Sequence, residues 1–263
     1  MTLLSKQMKN YLNHCEHQKR LDSKTLKAYR IDLTQLSDFL QQQSYSPNKE
    51  GLEKYIERLH QRYKPKTVKR KLACIKTFFG FLEFEKEIPA NPFAKLKIKF
   101  REHFILPKTI PADIVQKILY TAYRELGKAP QTEYQKKTAL RDVAILELLF
   151  AIGARVSELC SLSCNDIDLQ RGTVKINGKG SKERIIQIGN SDVLNMLVQY
   201  SAAFEHQIAQ NDYFFLNKFH TRFSEQSVRA MIKKYVGMSG LSIHITPHMF
   251  RHTFATLLLR RRC

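Results

Sequence analysis

Paired cysteines, long apolar runs and acidic side chains are all scarce in this 263-residue sequence. The five cysteines, Cys15, Cys74, Cys160, Cys164 and Cys263, are an odd and scattered set, which argues against a disulfide framework and for a reducing cytoplasm. Cys160 and Cys164 lack a second pair to complete a zinc site and read as two small core residues one helical turn apart. The longest apolar stretch, residues 143–152, is interrupted by Glu147 and is too short for a membrane span. The opening MTLLSKQMKN turns polar too early for a secretory leader. Internal repeats and low-complexity tracts are missing as well.

The shortage of acids is the informative one. Against 24 Asp and Glu stand 44 Lys and Arg, a net charge of +20. The excess is +11 over residues 1–100 and +9 over the remainder, so it belongs to the body of the protein and not to a tail. A chain this basic repels itself, and a polyanion that releases counterions on binding relieves the repulsion. Nucleic acid is favoured over an anionic membrane, because no amphipathic anchor or lipidation motif concentrates the charge. With 43% hydrophobic residues the chain has enough apolar surface for a packed core, which argues against disorder.

Residues 1–88 read as a bundle of four short helices. Leu26, Tyr29, Leu33, Leu36 and Leu40 repeat at spacings of 3 and 4 behind Ser23, a good N-cap. Leu52, Tyr55, Ile56 and Leu59 form a second stripe. Val68, Leu72, Ile75, Phe79 and Leu82 form a third behind Pro65, which suits a first turn. A weaker stripe, Leu4, Met8, Tyr11, Leu12 and Cys15, opens the chain. Residues 89–110 carry prolines and a run of Lys and Arg without sustained period, and read as a basic linker.

Residues 111–263 read as a larger, mainly helical domain with a small β-hairpin. Thr138 is a candidate cap for a buried helix that Gly153 stops. Val174 and Ile176, then Ile186 and Ile188, alternate on either side of a GKGS turn. Helical patterns follow over about 192–204, 224–237 and 247–259. The stretch Gly127–Lys137 reads as a polar insertion.

Three segments of this domain point to chemistry. In Gly153-Ala-Arg-Val-Ser-Glu-Leu159, a helix-ending glycine is followed by Arg155 and Glu158. In Gly178-Lys-Gly-Ser-Lys-Glu-Arg184, cations crowd a hairpin tip. In Thr246-Pro-His-Met-Phe-Arg-His252, Thr246 and Pro247 open a helix whose first turn presents His248 and Arg251 on one face. Taken singly, each has an ordinary reading as an ion pair, a solvated turn or a surface pair. GKGSK is not a nucleotide-binding phosphate loop, since it joins two strands and lacks the glycine spacing. Together the three fit one task. Cleaving a phosphodiester without metal needs cations on the non-bridging oxygens, which arginine supplies through its planar fork. A helix N-terminus adds backbone N–H groups beside His248. A hairpin lysine can protonate the leaving oxygen. No paired carboxylates at metal-ligand spacing stand near these segments.

In this order the segments resemble the tyrosine recombinase, or phage integrase-like, family, and most closely its short Xer-type members. The N-terminal stretches Ser23-Lys-Thr-Leu-Lys-Ala-Tyr-Arg-Ile-Asp-Leu and Lys66-Thr-Val-Lys-Arg-Lys-Leu, with Phe78-Phe-Gly-Phe-Leu, are similar to the family's SAM-like core-binding domain. The resemblance implies a helical core-binding domain over 1–88 and a catalytic domain over 111–263. It implies that Arg155 is the first phosphate-binding arginine and Glu158 its supporting acid. Lys179 becomes the general acid, and His248 with Arg251 the His-x-x-Arg pair. Lys182 and Arg184 become neighbours contacting the DNA backbone, and Thr67, Lys69, Arg70 and Lys76 the DNA-facing set of the first domain. No cofactor is implied, neither ATP nor divalent metal. The implied partner is duplex DNA carrying a recombination site, clamped from two sides, with a homo- or hetero-tetramer assembling on it in a nucleoid-associated setting in the bacterial cytoplasm.

One departure stands out. The family's nucleophilic tyrosine follows His-x-x-Arg by some tens of residues, whereas the sequence given runs 12 residues past Arg251 and all eleven tyrosines precede His248. The expectation is a shortened chain that binds DNA but does not cleave it. The alternative is a binding-only protein that occupies recombination sites as a decoy or regulator. A general RNA- or DNA-binding protein is disfavoured because no RNA-binding motif is present.

Overall fold

A computed structural model describes residues 3–96, 98, 106, 108–129, 132–178 and 183–260. The chain divides into two compact units, Met1–Phe104 and Ile105–Cys263. The architecture is mainly helical with one small antiparallel sheet.

The first unit holds α1 (Leu3–His17), α2 (Ser23–Gln42), α3 (Lys49–Arg62) and α4 (Pro65–Phe84). The apolar stripes of all four meet in one core that includes Tyr11, Leu33, Leu36, Leu59, Ile75 and Phe78, as an amphipathic repeat of 3 and 4 requires. Helix α2 starts one residue earlier than a Ser23 cap predicts. Asp22 is the cap, its carboxylate accepting from the Thr25 N–H at 2.9 Å. Asn48 caps α3 through the Gly51 N–H at 3.0 Å, and Pro65 occupies the first turn of α4. The beginning of the expected linker is ordered: Pro92–Lys95 forms a 3-10 turn, and Phe93 is buried against Phe79. One aromatic in a polar stretch has no period, so sequence pattern could not show this. The middle of that segment, residues 97, 99–105 and 107, lies outside the described residues.

The second unit is built around α6 (Glu133–Ile152), which is apolar on nearly all sides and buried from Ala139 to Leu149. It packs against α5 (Ala112–Leu126), α8 (Ser191–Ala203) and α11 (Pro247–Arg260). Its cap is Thr132 and not Thr138. Thr132 and Gln135 form a reciprocal capping box, so the polar residues Glu133–Lys137 open this helix. Three buried charged side chains on α6 are all satisfied. Arg141 donates to Asp142 at 2.8 Å and to the Leu216 carbonyl at 3.3 Å. Asp142 also accepts from the Tyr235 hydroxyl at 3.3 Å, and Glu147 from the Tyr123 hydroxyl at 2.9 Å.

After the short helix α7 (Val156–Cys160) and a 3-10 turn at Cys164–Asp166 comes a three-stranded sheet, β1 (Ile167–Asp168), β2 (Thr173–Asn177) and β3 (Glu183–Gln187), in the order β1-β2-β3. Helices α9 (Glu205–Ala209) and α10 (Glu225–Met238) complete the unit. Cys164 is exposed, in contrast to the buried Cys160. The helix carrying Cys160 stops at Ser161, so a spacing of four does not keep both thiols on one face. Among the described residues no helix is long and apolar enough to cross a membrane.

Candidate functional site

Helix α6 ends at Gly153, whose φ of +55° reverses the chain and sends it directly into α7. Arg155 is the residue before α7, and Glu158 lies one turn inside it. Glu158 reaches back to the Arg155 backbone N–H at 2.8 Å, and one of its oxygens accepts from the Arg155 guanidinium at 2.6 Å. The acid is therefore both a capping group and a counter-charge.

From the sheet, Arg184 grips the same carboxylate with two nitrogens, at 2.7 and 3.3 Å. Register explains its aim. Arg184 lies opposite Ile176, which is fully buried, and directly opposed residues of an antiparallel pair share a face. The cation thus points inward while Ile185 is exposed.

Arg251, one turn into α11, donates to the Gly153 carbonyl at 2.7 Å. That carbonyl belongs to the C-terminal end of α6, where partial negative charge favours a cation. Burial, then the neighbouring charge of Arg155, lower the pKa of Arg251, with Glu158 opposing and Arg184 adding to the lowering. For Glu158, burial by itself would raise the pKa. The bonds from Arg184 and from the backbone and side chain of Arg155 overcome it and hold the carboxyl at about 2. Three guanidiniums around one buried carboxylate leave a net positive site, and half of the Arg155 side chain remains exposed. Such an arrangement is suited to an anion that can take up several N–H donors at once.

His248 is exposed at the start of α11. It lines a groove of about 520 Å³ together with Val156, Arg229, Lys233 and His244, so cations of α10 continue the basic surface. Lys179 and Lys182 lie outside the described residues. The structure thus brings Arg155, Glu158, Arg184 and Arg251 together. Arg184, expected only to contact DNA, is an integral part of the cluster. Sequence reading also missed the Gly153 carbonyl as the seat of Arg251.

On the first unit, Lys69, Arg70 and Lys76 lie exposed along α4, and Thr67 is half-buried. Arg70 is not simply an outward cation: both terminal nitrogens bond Asp32 of α2, which is fully buried. Asp32 also accepts from buried Lys71 at 2.8 Å, whose ammonium donates to Gln35 at 2.6 Å and lies 4.8 Å from the Tyr63 ring centre.

Two late tyrosines of the sequence, Tyr200 and Tyr235, are committed elsewhere. Tyr200 donates to the Phe214 carbonyl and accepts from the Leu216 N–H, and Tyr235 donates to Asp142. Burial raises the pKa of both hydroxyls. Among the described residues, no cluster of three His, Cys, Asp or Glu could hold a metal ion.

Residues 112–263 match the phage integrase family, and residues 8–86 match the phage integrase N-terminal SAM-like domain. The chain belongs to the phage integrase, or tyrosine recombinase, family and is Xer-like. A tyrosine recombinase of Agathobacter rectalis is 53% identical over 98% of this chain and 85% of its own length. The tyrosine recombinase XerC of Thermodesulfovibrio yellowstonii is 35% identical over 95% and 81% respectively. Among solved structures, the XerH site-specific recombinase in a post-cleavage complex with its palindromic difH substrate superposes with a TM-score of 0.76, at 19% identity, covering 98% of this chain and 74% of that one. Lambda integrase (residues 75–356) bound to DNA gives a TM-score of 0.71 at 18% identity, covering 99% and 88%.

Proposed function

We propose that this chain binds duplex DNA at a specific recombination site and serves site-specific recombination, in which strands are cut and rejoined through a tyrosine-linked intermediate. Family membership supports the reaction class. The observation that carries the placement of the site is the gathering of Arg155, Arg184 and Arg251 about Glu158. In the proposed reaction a tyrosine oxygen attacks the scissile phosphorus. A 3′-phosphotyrosyl bond forms, the bond to the 5′-oxygen breaks, and Lys179 gives that oxygen a proton. Arg155 and Arg251 hold the non-bridging oxygens where charge accumulates, beside His248 at the helix N-terminus. The 5′-hydroxyl of a partner strand then reverses the step on a new junction, so no external energy source is consumed. Lys182, and on α4 Thr67, Lys69, Arg70 and Lys76, set register through phosphate contacts. The lambda integrase tetramer bound to a Holliday junction supports assembly as a tetramer, of one chain or of two related chains.

We assign the nucleophile to none of the eleven tyrosines, because all precede His248, and Tyr200 and Tyr235 are moreover buried with bonded hydroxyls. The 263-residue chain is thus expected to retard duplex DNA, with affinity falling linearly in log–log salt plots. With a nicked suicide duplex it is expected to give no covalent adduct. A tyrosyl-linked adduct from any of the eleven would overturn the assignment, and salt-independent binding would overturn the phosphate-centred reading.

A further inference from the structure

Arg184 has two features that a backbone-contacting cation does not need. It faces inward, opposite buried Ile176, and it spends both terminal nitrogens on Glu158. The other ligand of that carboxylate is Arg155, through both backbone and side chain. Glu158 is therefore the joint between two elements remote in sequence, the N-terminal turn of α7 and strand β3. We propose that Arg184 is a positioning residue: by gripping Glu158 it fixes the Arg155 guanidinium and ties the hairpin to the phosphate-binding turn.

The geometry gives the physical reason. A carboxylate has room for several donors, and a bidentate partner on one side leaves Glu158 a single orientation in which to hold Arg155. Without Arg184, the carboxylate can rotate toward Arg155 or toward solvent, and Arg155 loses its fixed seat. The charged groups facing Glu158 are Arg155 from α7, Arg184 from β3 and Arg251 from α11. Arg251 keeps its own seat on the Gly153 carbonyl, so removal of Arg184 acts on Arg155 first.

The inference rests on the reading that Arg155 engages a DNA phosphate, and a double-mutant cycle separates the two. Duplex affinity is measured for the full chain, Arg155→Ala, Arg184→Gln and the double variant, with thermal unfolding as the folding control. Arg155→Ala is expected to weaken binding about tenfold, the scale of a lost charge-assisted hydrogen bond. Arg184→Gln is expected to weaken it similarly, and to cost less than about twofold once Arg155 is gone. If Arg155→Ala has no effect, the phosphate reading itself falls and the inference with it. If Arg155→Ala weakens binding but the two losses add, or Arg184→Gln is silent alone, only the inference falls. Should Arg184→Gln not fold, Arg184→Lys replaces it. Lysine keeps the charge but cannot span both carboxylate oxygens, so it is expected to weaken binding in the same non-additive way.

A pH series adds a readout that a packing role would not move. With Arg184 present, Glu158 stays ionised far below neutrality, so it contributes no pH dependence between about pH 4.5 and 7. In Arg184→Gln the carboxyl returns toward its ordinary value near 4.3 and becomes protonated as pH falls, releasing Arg155. The variant-to-parent affinity ratio is therefore expected to drop below about pH 5.5. A flat ratio would overturn the inference.

Discussion

The Gly153→Ala variant is expected to lose about 2–4 kcal/mol of stability in the second unit and to bind duplex DNA more weakly. Two effects add at this residue. Its φ of +55° lies in the left-handed region, and a Cβ placed there would stand 2.4 Å from a ring carbon of Phe254. That ring belongs to α11, so relief of the clash displaces the ring or the helix that carries His248 and Arg251. The Gly153 carbonyl, the acceptor for Arg251, shifts in the same movement. Thermal unfolding is expected to show a drop of about 5–15 °C, and the slope of affinity against salt to become shallower as the Arg251 contact is lost. An unchanged melting temperature would mean that the helix junction tolerates a side chain and that Arg251 is not seated through it.

The largest stability effect in the first unit is expected at Asp32. Its carboxylate is fully buried and neutralises Lys71, itself almost entirely buried, as well as Arg70. Asp32→Ala leaves the Lys71 ammonium in the interior with Gln35 and the Tyr63 ring as its remaining partners. Breaking a buried pair by removing one member costs about 3–5 kcal/mol, a large part of what a domain of this size has in reserve. Chemical denaturation followed by helical signal is expected to show the first unit unfolding at markedly lower denaturant. Replacing Asp32 and Lys71 together with Asn and Met is expected to recover much of the loss, since the uncompensated charge is then gone. If the single variant is as stable as the parent, the carboxylate does not carry the role that its contacts give it.

Much of this fold was legible because the helices are amphipathic and punctuated. The stripes behind Pro65 and through Leu26 to Leu40 place α4 and α2 to within a residue or two. Legibility failed where the decisive signal was not periodic. Helix α6 begins in the exposed turn EYQKK, and apolar spacing sees only its buried portion, although the Thr132–Gln135 capping box stands in the sequence. Helix α9 is a single turn, and β1 is two residues held only by pairing to β2. Cys164 was misplaced because a four-residue spacing assumes that the helix continues. At the site, Arg155, Glu158 and Arg251 stand in recognisable local patterns. Arg184 needed the register of β3 against β2, and the seat of Arg251 needed a contact 98 residues away in the chain. Local pattern names a side chain; it does not name its partner.

The Thr253 hydroxyl accepts from the Ile110 N–H at 2.7 Å while donating back to Met249 in its own helix at 2.9 Å. The polypeptide arriving at residue 110 is thereby spliced to α11 two positions beyond Arg251. A shift of the backbone at Ile110 is therefore expected to act on the helix bearing the guanidinium, through the buried Thr253 hydroxyl.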